Sequence, residues 1–72
     1  MSIDKLKKAI ELLKDADEFN HIQLIGELSW SSIPQSYKLI KSLIINSHKV
    51  EVFQLNSNVL LNIDNVGLFQ IM

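Results

Sequence analysis

The stretch SSIPQSYKLIKSLIINSHKVEV, residues 31–52, decides how the chain is read: it has no acidic residue before Glu51 and passes from a helical spacing of apolar residues to a strand-like one. Ser32 followed three residues later by Gln35 has the pattern of a capping box, and Pro34 fits between them because an early helical position has no backbone hydrogen bond to lose. Ile33, Tyr37, Ile40 and Ile44 then recur at steps of three and four, forming one stripe with Leu43 beside it. Gln35, Lys38 and Lys41 or Ser42 occupy the opposite side, with Leu39 on its flank, and Asn46-Ser47-His48 closes the segment. The spacing predicts a helix over 33–46 with an apolar inner side and a lysine-bearing outer side.

Working outward, Asn20 and Gln23 repeat the capping-box spacing and predict a helix over 21–29, with Ile22, Ile25 and Leu28 or Ser29 facing inward. Gly26 falls inside it at a cost of about 1 kcal/mol relative to alanine, which a close helix crossing would explain. Toward the N-terminus, Ile3, Leu6, Ile10 and Leu13 make a stripe with Ala9 beside it and predict a helix over 3–16, capped by Ser2. Downstream, KVEVFQL and VLLNI are rich in β-branched and large apolar residues, and Asn56-Ser57-Asn58 between them is turn material, which predicts a β-hairpin over 49–63. Residues 66–72 fit either a closing strand or a short helix.

Seventy-two residues with 47% apolar content and a net charge of −1 describe one small folded domain covering 1–72. The chain has no cysteine, so neither disulfides nor a Cys/His zinc site supports it. Lysines fall early and no continuous apolar run follows, so neither a signal peptide nor a membrane span is read, and a cytoplasmic location is expected. Residues 1–30 carry four lysines against six acids, whereas residues 31–50 carry Lys38, Lys41 and Lys49 against none. Only that second segment has an uncompensated positive charge, and local charge speaks to partners.

No glycine-rich phosphate loop, nucleophile elbow or zinc-protease helix occurs, and His21 and His48 lack acidic or cysteine company at ligand spacing. No catalytic residue, cofactor or metal is therefore expected. Trp30 reads as a core plug, and the Tyr37 ring falls on the inward stripe.

The order helix, helix-turn-helix, β-hairpin, carried by IQLIGELSWSSIPQSYKLIKSLIINSHKVEVFQLNSNVLLNI, resembles the winged helix-turn-helix domains of small bacterial and archaeal transcription regulators. The resemblance spans about residues 3–63 and implies an α+β fold of three helices with a hairpin wing. It implies double-stranded DNA as partner, helix 33–46 in the major groove and the wing tip at Asn56 to Asn58. Carried onto this chain, the DNA-binding set is Ser31, Gln35, Lys38, Lys41, Ser42, Lys49, Ser57 and Asn58. The chain has no arginine, the commonest bidentate reader of guanine, so contact would rest on lysines to phosphates with Gln35 or Ser42 reading bases. A twofold dimer would place two reading helices about 34 Å apart. Leu39, Ile45, Leu60, Leu68, Phe69 and Ile71 are hard to bury together in so small a domain, and such surplus marks a contact. The terminal segment with Leu68, Phe69 and Ile71 fits two roles equally, a homodimer contact or the completion of the domain's own sheet. The alternative is a winged helix used as a protein-interaction module in a larger assembly, without direct DNA contact.

Overall fold

The structure, a computed structural model, describes residues 3–29 and 33–72. One helix, α1 (Ile3–Leu13), packs on a five-stranded antiparallel sheet built from β1 (Leu24–Leu28), β2 (Lys38–Ile45), β3 (His48–Leu55), β4 (Asn58–Ile63) and β5 (Gly67–Ile71). A 3-10 turn at Asp17–Phe19 follows the helix. The strands lie in the order β1-β5-β4-β3-β2, so β2 to β5 form a meander and β1 adds beyond β5. This overturns the expected three helices and wing: segments 21–29 and 33–46 contain strands where helices were predicted.

The reason is clearest in β2. Three of its eight residues are isoleucines, whose branched side chains suit a pleated surface better than a helix. At its end Asn46 and Ser47 take φ of 49° and 69°. Two consecutive left-handed residues make the tight turn that matches strand twist, so the chain reverses where a helix was expected to fade. Leu43 then pairs with Val50, and Ile44 with Lys49. An apolar run compatible with either periodicity is settled by the strand lying next to it.

β1 shows the same override. Its register slips between Leu24 and Gly26, leaving Ile25 as a bulge. A Cβ added to Gly26 would meet nothing within 4 Å, so no close helix crossing explains that glycine. The hairpin at β3 and β4 turns at Asn56, with φ 55°, and pairs from Val50–Ile63 to Leu55–Asn58. It forms the middle of the meander, not a protruding wing. The tail is β5, held between β4 and β1.

One face of the sheet meets α1. Ala9, Leu12, Leu13 and Phe19 bury against Val50, Val52, Leu61, Ile63, Phe69 and Ile71. The buried arc of the helix is rotated from the predicted stripe: Ala9 is fully buried, while Ile3 and Ile10 are exposed. Ala9, the smallest side chain of this arc, is completely covered by the core around it. The helix ends at Leu13 instead of 16, and Asn46 Nδ2 donates to the Leu12 carbonyl at 3.5 Å, giving one of the free C-terminal carbonyls a partner. On the opposite face Leu60 and Leu68 are also buried. Leu68, Phe69 and Ile71 therefore lie inside the fold and offer no surface to a second copy. Of the six residues thought hard to bury together, only Leu39 is exposed. The expected caps at Ser2 and Ser32 and the expected core role of Trp30 lie outside the described residues.

Candidate functional site

The residues carried over for DNA contact do not converge. Ser31 lies outside the described residues. Gln35 is exposed in the turn before β2, where Tyr37 N donates to the Pro34 carbonyl at 3.0 Å. Lys38, Lys41 and Ser42 are on β2, and Lys49 is on β3. By register Lys38 and Lys41 share the face of Gln54 and Val52, which is the α1 face, while Ser42 and Lys49 share the face of Glu51 and Ile44. Ser57 and Asn58 sit in and after the turn at the far end of β3 from Lys49. Along a strand of that length this is about 20 Å or more.

Charge does not gather either. Lys41 Nζ lies 2.7 Å from Glu18 Oε1, and Lys49 Nζ lies 3.8 Å from Glu51 Oε2. The +3 of residues 31–50 is thus largely neutralised in space by acids distant or adjacent in the chain. The element through which the resemblance implied groove reading is a strand.

The outer side of β2 is the feature that does stand out. β2 is an edge strand of eight residues, and three of its large apolar side chains are in water: Leu39 at 52%, Ile40 at 55% and Ile44 at 72%. Ile45 and His48 close the two-residue turn, so they form a hydrogen-bonded pair and the pattern alternates from there. Ser42 and Ile44 accordingly direct their backbone N–H and C=O away from β3. The Lys49 carbonyl, opposite Ile44, accepts from Asp64 N at 2.9 Å on the β4 side, as that alternation requires. A bulge at Ile40, where the register slips between Leu39 and Lys41, limits the regular stretch to Lys41–Ile45.

Beside this edge an apolar hollow of about 200 Å³ opens under the 3-10 turn, lined by Phe19, Ile22, Ile40, Val52, Val59 and Ile71, with the Glu18–Lys41 pair at its rim. A larger, more polar hollow at the other end of the sheet includes Lys49, Glu51 and Asn62, and Glu51 is engaged by both neighbours: Asn62 Nδ2 donates to its Oε1 at 3.2 Å, and Lys49 Nζ lies 3.8 Å from its Oε2. The arrangement at β2 can hold an extended chain through backbone hydrogen bonds flanked by apolar contacts. Sequence reasoning placed Ile40 and Ile44 on an inward stripe and so missed them as surface. The signal that could have found them is Asn46-Ser47 between two apolar runs, which is hairpin-turn chemistry.

No family model matches the chain, and neither does any curated protein or solved structure. Among the described residues no helix is long and apolar enough to cross a membrane, and no group of three or more potential metal ligands occurs.

Proposed function

We propose that the chain is a protein-interaction module whose β2 edge captures an extended segment of a partner by strand addition. The observation that carries this reading is the combination, on one strand, of outward backbone groups at Ser42 and Ile44 with the exposed side chains of Leu39, Ile40 and Ile44. Backbone hydrogen bonds supply affinity in that mode, and alternate side chains supply selectivity. Natural sheets blunt such edges when they are not used. The reading also accounts for the neutralised lysines, since recognition by strand addition needs no positive ridge.

A photoreactive amino acid in place of Ile44 tests it in cells that express the chain. Cross-links form from position 44 and are absent from the same group at Lys8, an exposed position on α1. Ser42→Pro, at a position whose N–H points outward, leaves the circular dichroism unchanged and abolishes the cross-link. Equal cross-linking from positions 44 and 8, or a cross-link indifferent to Ser42→Pro, would defeat the proposal.

A further inference from the structure

Resting on that reading, we infer that the occupant of the β2 edge is a second copy of this chain. The two β2 strands pair antiparallel about a twofold axis beside Leu43, so that two five-stranded sheets join into one of ten strands.

The register of β2 favours this pairing. The regular stretch runs only from Lys41 to Ile45, between the bulge and the turn, and its outward backbone groups belong to Ser42 and Ile44. A twofold centred on Leu43 sets Ser42 opposite Ile44 of the other copy, and Ile44 opposite Ser42. Each of these two pairs exchanges both its N–H···O bonds. Centring on Ser42 instead pushes one copy's Ile44 against the other's bulged Ile40, and centring on Ile44 pushes Ser42 against the turn at Asn46. Either shift halves the regular bonds, so the strand itself selects the Leu43 register.

Side chains agree with that choice. Leu43 faces its own counterpart in a non-hydrogen-bonded pair, where Cβ atoms come within about 5 Å, and the two Ile44 side chains lie on the diagonal at about 7 Å. Ile44, the most exposed isoleucine of the described chain, thereby gains an apolar neighbour. Each Lys41 stands opposite Ile45 of the other copy, and the two Lys41 residues are four positions apart, about 14 Å, which exceeds the Debye length of about 8 Å at physiological salt. Each also has Glu18 beside it, so the twofold brings no bare like charges together.

Area sets the strength. The chain exposes 4943 Å², whereas a compact monomer of its 8.2 kDa mass exposes about 4,500 Å². The surplus of about 400 Å² is near half of the roughly 800 Å² that each partner buries in a standard interface. A contact confined to the short Lys41–Ile45 stretch is expected to be weak and concentration-dependent.

Sedimentation of the purified full chain from about 10 μM to about 1 mM tests this, a range that brackets dissociation constants of weak complexes. The weight-average mass is expected to climb from one chain toward two, while Ile44→Lys and, independently, Ser42→Pro each weaken association at least tenfold with unchanged circular dichroism. Ile44 is mostly in water, so its replacement leaves the fold intact. A mass of one chain throughout the range overturns the second copy as occupant. If cross-links from position 44 to some other protein persist in that case, the β2 edge reading itself survives. A dimer that forms equally well in both variants overturns this inference, because its contact then lies away from β2, while the β2 edge reading stands or falls on the cross-links from position 44.

Discussion

The two edges of the sheet face the same hazard and treat it differently. β1 is five residues long, bulged at Ile25, without a side chain at Gly26, and it turns Glu27 toward α1, where Oε1 lies 3.5 Å from Lys5 Nζ. A bulge and an inward charge are devices that keep a strand edge from templating another chain. β2 uses similar devices only along its first half, with Lys38, the bulge at Ile40, and Lys41. From Ser42 to Ile45 no such device occurs among the described residues. An edge protected along its whole length and an edge protected for half of it differ by one short segment, and that segment is where an interaction is to be sought.

The largest effect comes from breaking the interior that both edges flank. β5 lies between β4 and β1, and Phe69 on it is fully buried between sheet and helix. Phe69→Ala is expected to cost about 3–5 kcal/mol, a large part of the stability of a 72-residue domain, so the urea midpoint should collapse. Leu39→Ala, at the exposed edge, should change the stability from the same unfolding curve by less than about 0.5 kcal/mol. Similar shifts for the two would mean that interior and edge are not distributed as described. Next in size is Gly67, which opens β5 at φ 153° with the Phe69 ring 3.4 Å from where a Cβ would stand. Gly67→Ala should destabilise by about 1–3 kcal/mol, measured by the same unfolding curve, because both backbone and ring would have to give.

Sharpening the contrast needs a change that strengthens β1 alone. Gly26 is not among the residues with positive φ, and the space a side chain would take is empty. Gly26→Val should raise stability by about 0.5–1 kcal/mol, since a glycine inside a strand pays backbone entropy and packs nothing. A loss of stability would show that the glycine serves the bulge at Ile25.

How much of this was legible in the chain depends on whether local chemistry or a distant partner decided each element. α1 was readable because an amphipathic stripe fixes its own periodicity, although the sheet beneath selected Ala9 and Leu12 over Ile3 and Ile10 as its inner arc. The reversal between β3 and β4 was readable because Asn56 takes left-handed angles without help. β1 and β2 were misread because capping-box spacings at Asn20 and Ser32 are short signals, and apolar residues at steps of three and four also satisfy an irregular strand. Asn46 illustrates the ambiguity: a left-handed asparagine ends helices and also turns hairpins, and only the neighbouring Ser47 at φ 69° separates the two. The candidate edge was hidden for the same reason, since an exposed Ile44 exists only if residue 44 is on a strand with no outer neighbour. The positive segment was legible as sequence, yet its pairing with Glu18 across 23 residues was not.

The smallest effect on stability is also the sharpest probe of the unblunted segment. Lys41 and Glu18 approach to 2.7 Å, but both side chains are about half exposed. Exposed pairs of this kind contribute about 0.2–1 kcal/mol and are weakened by salt. Lys41→Ala should therefore lower stability by less than about 0.5 kcal/mol in urea unfolding. Lys41 nevertheless borders Ser42–Ile45, and a lysine at an edge opposes pairing because its ammonium group must shed water against the incoming strand. In the twofold arrangement that strand presents Ile45, an apolar neighbour that gives the ammonium group no new partner. Lys41→Ala is thus expected to leave the monomer almost unchanged while tightening self-association severalfold in sedimentation. A variant that associates more weakly would instead assign the lysine stem a packing role, and would move the contact away from the Leu43 register.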